Sequence, residues 1–266
     1  MGNLRLLKFY LFIASFFLAI TCAKAQQTSI PEKDQYFDLA FGIGENSLTS
    51  YSLSWNKNYG LFATKKLRLG YGVRFSGLNG KEINYITAPA NLTGDDATID
   101  TLYMGKANTM ALNAMINLQY QFHPKIKLGF NIDAIGLGFG GEQSANFISS
   151  ENTGQFPQNL NAKPTSFNLL LVGDNDIGQL KSEFYLAYAV AKQAWLRAGF
   201  DMTFSEYTSS QVLTNENDRF RNKATLFFVA VSYNPFKGFI INPFYHEIFD
   251  FHPPVLLVFG AEYNNS

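Results

Sequence analysis

The chain has 266 residues, 21 basic and 21 acidic side chains, and 16% aromatics. That length suits one large β domain or two small ones, and aromatics at this level favour strands. Balanced charge offers no basic field for nucleic acid, and a single cysteine, Cys22, excludes a disulfide framework and a cysteine-ligated metal site.

Residues 1–25 read as a secretory signal peptide. Arg5 and Lys8 are positive, Phe9 to Thr21 form an apolar run, and Ala23-Lys24-Ala25 is a small-x-small cleavage pattern. The run is shorter than the roughly 20 residues a spanning helix needs. Thr21 stands where a lipoprotein signal wants a small residue, so Cys22 is expected to leave with the signal. Loss of Arg5, Lys8 and Lys24 leaves 18 basic against 21 acidic residues, a net charge of about −3. Residues 26–35 read as a short periplasmic leader, and 36–266 as one β domain.

Alternation then repeats along the chain, with no convincing helix. Phe37, Leu39, Phe41 and Ile43 alternate with Asp38, Ala40 and Gly42. Tyr51, Leu53 and Trp55 alternate with serines, and Leu67, Leu69, Tyr71, Val73 and Phe75 with Arg68, Gly70, Gly72 and Arg74. Met110 to Phe122 has one greasy face, including Leu112, Ile116 and Leu118. Its other face carries Asn113, Asn117, Gln119 and Gln121. Further strands are predicted over 126–133, 183–190, 196–204, 225–233, 239–246 and 255–263. Pro243 interrupts the ladder of the strand over 239–246.

Alternation alone fits a soluble sandwich as well as a membrane barrel. Loop asymmetry favours the barrel. If the first strand rises from the periplasm, the outer connections are 46–48, 77–106, 140–180, 206–222 and 247–253. The inner turns 57–65, 123–125, 191–194 and 235–238 are short, as in outer-membrane barrels. This parity holds with about ten strands, in a range of 8–12, when 167–172 belongs to the third outer loop. Trp55, Tyr120, Phe122, Tyr233, Phe236, Phe239 and Tyr263 fall near the inner ends, where such barrels carry an aromatic girdle.

Stretches such as YGLFATKKLRLGYGVRFS and GDNDIGQLKSEFYLAYAVAKQAWLRAGF, following a signal peptide, resemble small outer-membrane β-barrel proteins of Gram-negative bacteria. They are most similar to the poorly characterised group common in the Bacteroidota. The resemblance implies a closed antiparallel up-and-down transmembrane barrel in the outer membrane. It also implies contact with lipid, lipopolysaccharide and the barrel assembly machinery, and no cofactor. The chain departs from the usual aromatic last residue, because Asn264, Asn265 and Ser266 follow Tyr263.

If the apolar faces meet lipid, Arg68, Arg74, Lys127, Lys181 and Arg197 point inward with Asp38, Asp133, Glu183, Asp201 and Glu262. Five charges of each sign suit a salt-bridged interior better than a charge-selective pore, since an unpaired buried charge is costly. Gly70, Gly72, Gly129 and Gly199 on that face would make room for larger neighbours or for a narrow path.

Sharper chemistry has weaker support. His246, Glu247, Asp250 and His252 form an acid–base set near the outer rim, but no serine partner or zinc spacing accompanies it. His123 reads as a turn residue. Asp174, Asn175 and Asp176, like Asp95, Asp96 and Asp100, read as turn formers rather than a calcium loop. Three readings stay open. The first is a non-catalytic outer-membrane barrel with a structural, surface-binding or narrow-channel role. The second is an outer-membrane enzyme using a rim histidine. The third is a soluble periplasmic β-barrel binding an apolar ligand.

Overall fold

The computed structural model describes residues 33–150 and 160–236. Its strands are β1 (Lys33–Ile43), β2 (Thr49–Leu61), β3 (Leu67–Thr87), β4 (Thr101–His123), β5 (Ile126–Phe139) and β6 (Gln143–Ile148). They continue as β7 (Leu160–Pro164), β8 (Phe167–Leu169), β9 (Leu180–Ala189), β10 (Ala194–Ser209) and β11 (Arg219–Tyr233). Helical structure among the described residues is confined to single 3₁₀ turns.

Eight of these strands close an antiparallel up-and-down ring in the order β1-β2-β3-β4-β5-β9-β10-β11. The seam is β1 on β11, running from Phe37↔Tyr233 to Ile43↔Phe227. One circumferential row shows how the sequence fixes register. Leu112, Phe75, Leu53, Leu39, Val231 and Leu196 lie side by side across six strands, all on the outer face. A slip of one residue in any strand would turn its apolar set inward and its polar set outward.

The ring closes at the lower end of the range read from the sequence. The strands predicted over 239–246 and 255–263 lie outside the described residues. Among the described residues, β1 has β11 on one edge and β2 on the other. β1 begins at Lys33, inside the stretch read as a leader.

The ends of the ring differ. β2–β3, β4–β5 and β9–β10 are joined by short turns at one end. At the other end two stretches read as loops are partly strand. β3 and β4 run on to Thr87 and from Thr101, and β10 and β11 run on to Ser209 and from Arg219. The sequence hid them because the alternation changes phase. Inward residues run Ser76, Leu78, Gly80 and then Ile83, Tyr85, Thr87, with a slip at Glu82, whose φ is +55°. β5 slips likewise, because the register shifts between Ala114 and Met115 skip Ala134. Phe167–Leu169, assigned by parity to the third outer connection, lies there as the short strand β8. It pairs with β5 from Ile135 to Leu137 without crossing the wall.

The extended ends form a second closure. β3, β4, β6, β7, β10 and β11 pair in that order, and β11 returns to β3 through Phe220↔Thr87 and Arg221↔Ile86. A six-stranded ring therefore sits on the long-loop end of the eight-stranded one. β6 and β7 take the places that β5 and β9 hold below.

Burial is inverted relative to a water-soluble barrel. Leu39 is 65% exposed, Ile116 48% and Val229 50%. Large exposed apolar residues occur on every strand of the eight-stranded ring, among them Leu53, Val73, Leu137, Leu186 and Phe200. Ser52, Asn56, Arg74, Asn117, Asp133 and Glu183 are buried inside it.

Candidate functional site

The interior of the eight-stranded ring is a continuous polar network. Glu183 on β9 is its hub. Its carboxylate lies 2.7 Å from Arg197 and 3.2 Å from Arg74, and accepts a hydrogen bond from Asn131 at 2.9 Å. Arg197 on β10 also pairs with Asp38 on β1, which accepts from Asn56. Arg74 on β3 reaches Asp133 on β5 at 3.2 Å, and Asn113 donates to the same carboxylate. Lys181 pairs with Asp201 at 2.8 Å and donates to Ser50. Removing one member of such a set leaves a partner charged, buried and uncompensated.

Nearer the short-turn end the network becomes aromatic and amide-rich. Gln119 donates to the hydroxyls of Tyr36 and Tyr185, and Asn58 donates to Tyr36. The Arg197 guanidinium lies 3.7 Å from the Tyr185 ring centre, a stacking distance. Gly129 makes this possible, because a Cβ there would stand 2.2 Å from Cζ of Tyr185. The glycine holds space that the tyrosine ring fills, so it opens no passage. At the base Arg68 pairs with Asp34 at 3.2 Å, Lys127 lies 3.9 Å from the same carboxylate, and Asn234 donates to it.

Above Ser50 and Lys181 the interior changes character. Leu48, Leu78, Tyr85, Leu102, Met104, Phe147, Leu160, Tyr207, Phe220 and Leu226 form a buried apolar core inside the six-stranded ring. Tyr85 and Tyr207 meet edge to face at 5.0 Å, and Phe147 and Phe220 at 6.1 Å. The Tyr207 hydroxyl donates to the carbonyl of Asn108 and accepts from its N–H. The junction of the polar and apolar cores has a pocket of about 20 Å³, bordered by Ser76, Thr109, Gln179 and Lys181. That is space for about one water.

Buried Asp100 ties the outer connections together. It accepts from the N–H and hydroxyl of Ser150 and from the Thr214 hydroxyl, so the β3–β4, β6–β7 and β10–β11 connections meet on one carboxylate. On the outer wall Arg219 makes a two-pronged contact with buried Glu206, both bonds 2.9 Å. Asp174 in the β8–β9 connection meets Lys223 at 2.9 Å and Arg221 at 3.6 Å. The Lys223 hydrogen bond and the two cations hold the Asp174 carboxyl below the usual carboxylate range.

Nine charges picked from the sequence, Asp38, Arg68, Arg74, Lys127, Asp133, Lys181, Glu183, Arg197 and Asp201, are all buried in this interior. Glu262 lies outside the described residues, as do His246, Glu247, Asp250 and His252. Asp34 falls inside the stretch that reads as leader, yet its spacing of four from Asp38 gives the signal. The oxygen-rich loops work as turn and pairing chemistry. Asp95 caps Ala97, and Asp176 accepts from the N–H groups of Leu171 and Val172. His123 accepts from Lys125 N–H within the β4–β5 turn.

No protein-family model and no curated protein matches the chain. Among solved structures it is similar to Neisserial surface protein A, at 12% identity and a TM-score of 0.33, covering 76% of this chain and 95% of that one. It is also similar to the Ralstonia pickettii toluene transporter TbuX, at 9% identity and a TM-score of 0.27, covering 77% and 78%. A Pseudomonas aeruginosa FadL homologue aligns at 11% identity and 0.26, covering 77% and 76%. At these scores the likenesses carry no argument about activity.

Proposed function

We propose that the chain is an integral outer-membrane β-barrel that does not conduct solutes and holds a rigid outer cap at the cell surface. The observation that carries this reading is the inversion of burial. A band of exposed aliphatic and aromatic side chains surrounds a ring filled with paired charges. In water such a band would far exceed the few hundred Å² of contiguous apolar surface usual for a soluble monomer. In lipid it is the favourable face, and closure of the ring leaves no strand edge unpaired. β1, β2 and β9 have 11, 13 and 10 residues, close to the roughly 9–11 that a tilted spanning strand needs. A soluble carrier of an apolar ligand would need the reverse arrangement.

Export through the segment at residues 1–25 accompanies this reading, with the short turns in the periplasm. The filled interior argues against a passive channel. An eight-stranded barrel is only wide enough for side chains to fill it, and here charges, amides and tyrosines do so below an apolar plug. Surface binding fits the cap, because loops held by a scaffold concentrate recognition and Asp100 locks three of them.

Reconstitution in planar bilayers tests the sealed interior. Silence at both polarities is expected from chains that show a heat-dependent shift in gel mobility. Stable conductance steps from the same material would overturn the non-conducting role.

A further inference from the structure

The two rims of the barrel carry different charge. At the short-turn rim the exposed or half-exposed cations are Lys33, Lys57, Lys65, Lys66, Lys125 and Lys192. Among the described residues no exposed acid accompanies them, and Asp34 is turned inward and buried against Arg68. The opposite rim mixes signs, with Glu45, Glu82, Asp95 and Glu216 beside Lys81, Lys106 and Lys163.

The lysines are spread around the perimeter rather than gathered in one patch. Lys33 opens β1, Lys57 lies on β2, and each of the three short turns contributes at least one more. They share their height with outward aromatics. Lys57 lies 5.6 Å and Lys33 6.0 Å from the ring centre of Tyr59, which stacks on Tyr71 at 6.4 Å. Tyr120, Phe122 and Tyr233 are exposed at the same end. Lysines on flexible stems beside a belt of amphipathic rings stand at headgroup height in a bilayer.

We propose that this rim is a ring of cationic sites for the anionic phospholipid headgroups of the leaflet around it, an inference that rests on the membrane reading above. A protein partner would favour one side of the rim, whereas a leaflet surrounds all of it. Each lysine near an anionic surface adds attraction that falls off within a Debye length, so the preference is sensitive to salt.

The test is native mass spectrometry of the full chain after reconstitution in phosphatidylcholine bilayers containing a minor fraction of phosphatidylglycerol. The parent chain is expected to retain phosphatidylglycerol several-fold above its share of the bilayer. A variant combining Lys65→Gln, Lys66→Gln, Lys125→Gln and Lys192→Gln is expected to lose that preference. A variant combining Lys81→Gln, Lys106→Gln and Lys163→Gln is expected to keep it. Retention of both lipids in bulk proportion by the parent overturns the proposal. So does a preference that survives in the turn variant, or one lost equally in the opposite-rim variant. Mobility on unboiled gels separates the two claims: a parent chain that fails to insert into pure phosphatidylcholine overturns the membrane reading, and the headgroup ring with it.

Discussion

Phe220 on β11 pairs with Thr87 on β3, although the β1–β2 hairpin separates these strands in the eight-stranded ring. The short hairpin ends at Ile43 and Thr49, and above it β11 and β3 meet directly. This contact closes the six-stranded ring and seals the outer end with side chains of the apolar core.

Truncation at this point should loosen the cap and spare the wall. Phe220 is fully buried against Phe147. Phe220→Ala is expected to remove about 3–5 kcal/mol from the outer ring. Hydrogen exchange should accelerate in β6, β7 and the outer halves of β3 and β11, while β1, β2 and β9 keep their protection. Uniform acceleration would show that the two rings unfold as one unit.

The interior charges act as a set. Glu183 serves both Arg74 and Arg197, so Glu183→Gln leaves two buried guanidinium groups short of a counter-charge. A loss of about 3–5 kcal/mol in folding free energy is expected. Adding Arg74→Gln should recover part of it, because the two changes share one network. Urea titration of the reconstituted barrel, read by tryptophan fluorescence, measures both. Strict additivity would mean that the two residues are not coupled.

Asp174 provides a pH probe on the exposed wall. Its carboxyl is held low, chiefly by the Lys223 hydrogen bond. A depressed carboxylate stabilises the folded arrangement above its unfolded pKa, and that contribution disappears as pH falls through the folded value. The β8–β9 connection should therefore stay docked at neutral pH and loosen only below the ordinary carboxylate range. NMR titration should place the Asp174 midpoint below that of a free aspartate and move it upward in Lys223→Ala. An unchanged midpoint would show that the contact is not maintained in solution.

Much of the wall was legible because an apolar outer face alternates with a polar inner face over most of each strand. Ser50, Ser52, Ser54 and Asn56 could only share a face, and so could Leu39, Phe41 and Ile43. The inward charges followed from the same periodicity. The outer cap was not legible. Its strand β3 changes phase at Glu82, and the inward face above that point is apolar, which erases the contrast that periodicity needs. β6 and β7 are short, at six and five residues, and owe their pairing to partners distant in sequence. The strand number of the ring was set by the β1–β11 seam, a contact between the first and last described strands that no local pattern encodes.

The facing of β4 is the most direct test of the inverted barrel. Cys22 is the single cysteine, so nitroxide labels can be placed one at a time in a Cys22→Ser background. Power saturation compares oxygen, which partitions into lipid, with a water-soluble nickel chelate. Labels from Leu112→Cys, Ile116→Cys and Leu118→Cys are expected to meet oxygen strongly and nickel weakly. Labels from Met115→Cys, Asn117→Cys and Gln119→Cys are expected to be shielded from oxygen. Strong nickel access at Ile116→Cys, or an oxygen maximum at Asn117→Cys, would contradict the account.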